Sequence, residues 1–253
     1  MAHVTKLDAE RRREELAELA RRPDGVAIEA AAELFAVSSM TIRRDLLELE
    51  AEGRVRRTRG GASAAPTARP FDARKATRAT AKRAIAAKAL ALVPPSGTIV
   101  LDASSTISTL AAIVGPRDGL AAHTNGIETF QLLQRLDGVT AMLTGGAAEP
   151  TTGSLIGPLA CQAARAVYAD VFFASAAAID PRDGSSEVSL AEAEVKQTMA
   201  ANARRCVLCL DSSKLGARSV ARALTPDDIA VLVTELPPDD PRLDPYRWIP
   251  TIL

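Results

Sequence analysis

The sequence predicts an α/β protein in two parts: an N-terminal winged helix-turn-helix, then a larger domain built on a largely parallel sheet. Three observations carry this expectation. From about Phe71 onward, short apolar runs alternate with helical patterns, as they do when crossover helices join parallel strands. Before Phe71, two short helical patterns meet across a tight connection and lead into an arginine-rich hairpin. The charge is also uneven. The 253 residues carry no net charge, yet residues 1–83 hold 18 Lys and Arg against 13 Asp and Glu, and the remainder is acidic by the same margin. A basic front part on an acidic body points to a polyanion as partner of the front part.

The elements follow in order. Residues Leu7 to Arg22 set Leu7, Leu16, Leu19 and Ala20 among charges, an amphipathic helix that Pro23-Asp24-Gly25 stops. A second helix, Glu29 to Phe35, has Ala30, Ala31, Leu34 and Phe35 as its apolar side. After Ala36-Val37, Ser38 or Ser39 is the N-cap of a third helix that runs to about Glu52 and ends at Gly53. Ile42, Leu46 and Leu49 recur there at i, i+4 and i+7 and form its inner face. Arg54 to Gly61 suits a two-stranded wing, and the small residues and proline from Ala62 to Arg69 suit a linker. The expected division is therefore a DNA-binding domain over 1–62, a linker over 63–80 and an effector domain over 81–253.

In the second part, strands are expected at Thr98–Asp102, Leu120–Thr124, Val139–Thr144, Val171–Ala178, Cys206–Asp211 and Ala230–Thr234. Helices are expected at Lys82–Leu92, Ser105–Val114, Gly126–Leu136, Pro158–Tyr168 and Leu190–Ala203.

The third helix carries the first chemistry. With Ile42, Leu46 and Leu49 inside, Ser38, Ser39, Thr41, Arg43 and Arg44 lie towards the outer side near its N-terminus, the end that enters a major groove. Arginine can bond a guanine edge bidentately, while hydroxyls and free N–H groups hold phosphate. Arg54, Arg56, Arg57 and Arg59 of the wing would meet the adjacent DNA backbone. The plainer alternative is a solvated basic face.

The run Val37-Ser38-Ser39-Met40-Thr41-Ile42-Arg43-Arg44-Asp45-Leu46, then Leu49-Glu50-Ala51-Glu52-Gly53 and Arg57-Thr58-Arg59-Gly60-Gly61-Ala62, resembles the DNA-binding signature of DeoR-family transcriptional regulators. Further segments match in the same order: Lys82 to Ala86, Leu101-Asp102 with Ser104-Ser105-Thr106, Thr124-Asn125, Gly145-Gly146, Glu192 to Lys196, and Asp211 to Lys214. The resemblance implies a winged helix-turn-helix followed by an effector domain resembling ribose-5-phosphate isomerase. It departs from the pattern at Arg59, where the family has histidine, at Ser104, where it has glycine, and at Ser175 and Ala178, where it has a Gly-x-x-Gly pair.

The second part supports an effector site on its own terms. Ser104, Ser105 and Thr106 follow a strand and open a helix, where hydroxyls and backbone N–H groups can hold an anion. Thr124, Asn125, Gly145, Gly146, Asp211 and Lys214 also follow strands and would gather at the same sheet edge, where open α/β sheets bind ligands. Asp102 and Asp211 can accept sugar hydroxyls, and Lys214 can neutralise a phosphate. Lys196 joins this set through the resemblance. A small phosphorylated sugar suits these donors and acceptors; ordinary caps and turns are the plainer alternative.

Other chemistry finds little support. Cys206 and Cys209 have metal-like spacing without a second pair, and in a strand they point to opposite faces, so they are expected to be structural. His123 is expected in the core or at a pocket edge. No nucleotide-binding glycine motif stands in the chain, and no cofactor is expected. No apolar run reaches the ~18 residues of a membrane span, the first residues lack a signal core, and three cysteines suit a reducing compartment, so a cytoplasmic location is expected. Taken together these readings predict a DNA-binding transcriptional regulator, a repressor of carbohydrate metabolism genes controlled by a phosphorylated sugar, acting as a homodimer or higher oligomer to reach two half-sites. Two rivals stand beside it: an isomerase-like enzyme using Asp102, Glu192, Lys196 and Lys214 as acid–base groups, and a nucleoid-type DNA binder without an effector.

Overall fold

The computed structural model describes residues 6–20, 25–51, 55–58, 60–64 and 69–253. The chain divides into two compact units, residues 1–67 and 68–253.

The first unit packs α1 (Lys6–Ala20), α2 (Ile28–Leu34) and α3 (Ser39–Ala51) on a small sheet of β1 (Val26–Ala27), β2 (Val55–Thr58) and β3 (Gly61–Ala64), in the order β1-β3-β2. The period read in α3 is the one that packs: Ile42, Leu46 and Leu49 are wholly buried against Leu16, Ala31 and Val55. Ser38 is the cap, its Oγ accepting from the Thr41 N–H at 3.1 Å. Beside this apolar core, Arg12 of α1 donates to the buried Asp45 carboxylate of α3 at 2.6 and 3.3 Å. That pair bolts α3 to α1. The wing forms as expected, Val55 opposite Ala64 and Thr58 opposite Gly61. Gly61 is required by close approach, since a Cβ there would stand 2.1 Å from the Val26 carbonyl oxygen of β1.

The expected linker over 63–80 is corrected. Ser63 and Ala64 complete β3, because the wing's second strand pairs on both sides. Residues Phe71–Ala76 form α4, and α5 (Ala79–Leu90) starts earlier than read.

The second unit is a doubly wound sheet. In chain order its further elements are β4 (Gly97–Leu101), α6 (Ser105–Ala111), β5 (Leu120–Thr124), α7 (Ile127–Leu133), β6 (Val139–Leu143), β7 (Ala147–Ala148), β8 (Leu155–Ile156), α8 (Pro158–Arg165) and β9 (Val171–Ala174). There follow β10 (Ala178–Asp180), β11 (Gly184–Glu187), α9 (Leu190–Ala201), β12 (Cys206–Cys209), β13 (Ala221–Arg222), β14 (Val231–Val233) and β15 (Thr251–Ile252). Seven strands pair in parallel in the order β15-β14-β12-β9-β4-β5-β6. Alternate residues feed two cores. Ile99, Leu101, Phe173, Val207 and Cys209 face α5 and α6, while Val100, Phe172, Cys206 and Leu208 face α8 and α9. Both faces are covered, which is why these strands are continuous apolar runs. The two strand cysteines point to opposite faces as expected, and burial pushes the Cys206 thiol up to about 12 and that of Cys209 well above its usual value.

The expected strand Val171–Ala178 is two elements. β9 stops at Ala174, because the Ser175 N–H turns to the Asp102 carboxylate at 2.7 Å instead of a neighbouring strand. The chain then re-enters as β10 in a separate antiparallel sheet, β10-β11-β13.

Candidate functional site

The outer face of α3 is set by the inner one. With Ile42, Asp45, Leu46 and Leu49 buried, Met40, Arg43, Arg44 and Leu47 form the exposed stripe, at i, i+3, i+4 and i+7. Arg43 is exposed and meets no carboxylate among the described residues, and Arg44 lies 3.9 Å from Glu48, a loose pair. Ser38 and Thr41 are bonded to each other, Oγ to Oγ1 at 2.9 Å, so part of their capacity is spent on the cap; Ser39 is half-buried. The wing arginines divide. Arg57 bonds Glu50 twice, through its guanidinium and its backbone N–H, both at 3.0 Å, so it ties the wing to α3. Arg56 lies on β2, and Arg54 and Arg59 lie outside the described residues. Sequence reading looked for polar groups and passed over Met40, Leu47 and the Arg12–Asp45 bolt.

In the second unit the strand order reverses at β4 and β9. β5 and β6 extend the sheet on one side of that point, and β12, β14 and β15 on the other. The carboxyl ends of β4 and β9 therefore open a crevice, the position where doubly wound sheets take ligands. Asp102 leaves β4 there and is almost fully buried. Its Oδ1 accepts from the Ser104 N–H at 2.9 Å, and its Oδ2 accepts from Ser175 N–H and from the Lys196 ammonium. Lys196, from α9, also reaches Glu187 of β11 at 3.1 Å and the Ser175 carbonyl at 2.6 Å. Burial alone would raise Asp102, but the Lys196 charge and these hydrogen bonds hold its carboxyl below the usual range. Burial dominates for Glu187 and raises it. Burial likewise opposes the Lys196 charge, but the two carboxylates outweigh it and raise its pKa.

Five of the expected contact residues already have partners within the protein. Asp102 and Lys196, expected as ligand contacts, are a buried pair bonded to each other that shapes the crevice. Asp211 was read as a hydroxyl acceptor; its Oδ1 caps the turn Ser212–Lys214 and meets Arg78 at 2.9 Å. Thr124 is wholly buried, its Oγ1 accepting from the Gly126 N–H at 3.0 Å. Ser104 is the N-cap of α6, and its Oγ accepts from the Ile107 N–H at 3.2 Å.

Other expected groups keep open valence. Thr106 Oγ1 and Asn125 Oδ1 are buried without a hydrogen-bond partner among the described residues, while the Asn125 amide holds the Leu155 carbonyl at 3.1 Å. Ser105 is buried at the first turn of α6. The Asn125 loop presses on the Asp102 loop: a Cβ on Gly126 would meet the Ala103 Cα at 2.9 Å. Gly145 and Gly146 follow β6 but are exposed and take no part in the Asp102 network; Gly146 packs beside Ile156 and Ala160.

Cations stand out here. Lys214 donates to the Ala176 carbonyl at 2.6 Å and lies 3.3 Å from Ser175 Oγ. Lys82 of α5 donates to the carbonyls of Arg74 and of Thr77, the latter at 2.8 Å. Among the described residues neither forms an ion pair with a carboxylate. Burial and the neighbouring Lys214 charge push Lys82 down to about 8, and burial pushes Lys214 down too. Arg74 of α4 bonds the Thr152 carbonyl at 2.7 Å, and burial lowers it as well. Two desolvated ammonium groups held only by neutral oxygens form a site that an anion would relieve. Lys82 and Arg74 were outside the expected site, although Lys82 stands in one of the matched segments. His123 is half-buried beside Val100, Met142 and Met199, and burial lowers its imidazole. It lies on the α8–α9 side of β5, at the edge of an apolar pocket.

Residues 77–236 match the family described as the DeoR C terminal sensor domain, and residues 12–67 match the DeoR-like helix-turn-helix domain. The chain is 32% identical over 202 residues to the HTH-type transcriptional regulator GolR of Listeria innocua, covering 79% of this chain and 80% of that one. It is 27% identical over 223 residues to the glycerol-3-phosphate regulon repressor of Escherichia coli K12, covering 87% and 88%. Among solved structures, ribose 5 phosphate isomerase A from Neisseria gonorrhoeae aligns at 18% identity with a TM-score of 0.37, covering 53% of this chain and 52% of that chain.

Proposed function

The chain belongs to the DeoR family of transcription regulators, and from that premise we propose that it is a cytoplasmic repressor of carbohydrate metabolism genes whose grip on operator DNA is controlled by a phosphorylated sugar. The first unit reads double-stranded DNA with α3, Arg43 and Arg44 on base edges and the wing against the backbone. Two half-sites call for two reading units, hence a homodimer or higher oligomer.

The observation that carries the effector assignment is the pair of carboxylate-free cations, Lys82 and Lys214, at the crevice between β4 and β9. A phosphate supplies the missing negative charge, and Thr106 and Asn125 offer open acceptors to sugar hydroxyls. The relative named for the glycerol-3-phosphate regulon fits that chemistry. An isomerase-like reaction would need a free proton acceptor, whereas Asp102 is paired with Lys196 and Glu192 accepts from Thr152 at 2.7 Å and Ser154 at 2.5 Å.

The test is a thermal-shift screen of matched sugars with and without phosphate, followed by operator binding with the best hit. Phosphorylated compounds should raise the melting temperature by mass action and release DNA. Lys82→Met and Lys214→Met should lose both responses while keeping operator affinity. Equal shifts from the unphosphorylated sugars, or a full response in both variants, would place the effector elsewhere.

A further inference from the structure

Met40 is the second residue of α3 and is 69% exposed, in a helix whose other large apolar side chains, Leu47 apart, are wholly buried. It shares its outward stripe with Arg43 and Arg44, so an exposed apolar group stands beside the strongest hydrogen-bond donors of this surface. Leu47 shares the stripe and is 49% exposed, but it lies about 10 Å further along the axis, away from the end that enters a groove. In the major groove the one apolar feature of a base edge is the 5-methyl group of thymine. Methionine suits it: unbranched, polarizable and free of any polar group that a base edge would leave unpaired.

We propose that Met40 reads a thymine methyl group next to the base pairs contacted by Arg43 and Arg44, which makes it a specificity residue of the operator interface. The proposal rests on the DNA-reading role of α3. The inner face and the Arg12–Asp45 pair fix the rotation of α3 on its unit, so Met40 and the two arginines present themselves together. Met40 makes no phosphate contact, so its share of affinity is independent of salt.

The experiment selects operator duplexes from a random library with the full-length protein, then replaces each enriched thymine in turn by deoxyuridine, which deletes only the methyl group. The native protein should lose about three- to fivefold affinity at one thymine per half-site, the worth of one methyl kept from water. Met40→Ala should bind the thymine duplex with the same loss, ignore the uracil exchange and keep the native salt slope. Being exposed, the position should leave the melting curve unchanged. Enrichment of duplexes that tolerate uracil at every thymine overturns the contact alone. Equal sensitivity of Met40→Ala and the native protein to uracil overturns it too. Failure to enrich any duplex overturns the DNA-reading role and this contact with it.

Discussion

Lys196→Met tests the organisation of the effector crevice. The substitution keeps most of the side-chain volume and removes the cation bonded to both Asp102 and Glu187. Removing one partner of a buried ion pair costs about 3–5 kcal/mol. Asp102 keeps its two backbone N–H donors, which argues for the lower end. At about 2–4 °C per kcal/mol for a domain of this size, the melting temperature of the second unit should fall by about 10 °C at pH 7. The loss should depend on pH in a defined direction. In the native protein Asp102 lies below its usual range, so it contributes stability above the unfolded carboxylate range and loses it as pH falls. In the variant burial acts without the lysine and raises Asp102, so folding takes up a proton and the penalty shrinks as pH falls. Calorimetry of both proteins at pH 7 and pH 5 should therefore show the gap narrowing on acidification. A loss below 2 °C at pH 7, or a gap of equal size at pH 5, refutes the reasoning.

Asp45→Ala leaves Arg12 buried without its carboxylate, and should destabilise the first unit by about 3 kcal/mol, read by circular dichroism and by protease sensitivity of residues 1–67. Arg43→Ala should cost about 1–3 kcal/mol of operator affinity in a gel-shift titration. Arg57→Ala, whose guanidinium is held by Glu50, should cost less than about 1 kcal/mol of stability and change sequence preference little. Affinity for a phosphorylated ligand should fall as pH rises through about 8, where Lys82 loses its proton, and this step should be missing in Lys82→Arg, which keeps its charge, when calorimetric titrations from pH 7 to 9 are compared.

The parallel core was legible because its strands are apolar on both faces. Leu120–Thr124 matches its expected bounds, Thr98–Asp102 is shifted by one residue, and the expected Cys206–Asp211 ends two residues early, at Cys209. The inner face of α3 was equally plain from three residues. The sheet β10-β11-β13 was not, because Gly184 to Glu187 is buried yet polar. Ser185 Oγ accepts from the Leu224 N–H at 3.0 Å, and Ser186 Oγ accepts from the Ser219 N–H at 2.7 Å, so hydrogen bonds from distant residues replace the apolar signal. α4 spans fewer than two turns and leaves no period to detect. The site was half legible for a related reason. Its loops follow from the ends of strands, but whether a charge there faces a ligand or a partner depends on pairings such as Asp102 with Lys196, 94 residues apart. Local sequence does not carry that information, so a buried ion pair and an open cation look alike in it.

The three cysteines have a practical consequence. All are buried, Cys161 included, and the thiolate is the form that oxidants and alkylating reagents attack. Burial pushes the Cys206 and Cys209 thiols up and closes Cys161 off from reagents. The folded protein should therefore react slowly with maleimides, and a single cysteine placed on its surface becomes a selective handle for a fluorophore or spin label. Leu34→Cys, at a position 64% exposed on α2, would put such a reporter on the first unit away from the outer stripe of α3, and Tyr168→Cys, at a position 87% exposed, would put one on the second. Metabolite and DNA could then be followed in one sample, each through its own signal, without first rebuilding a cysteine-free background.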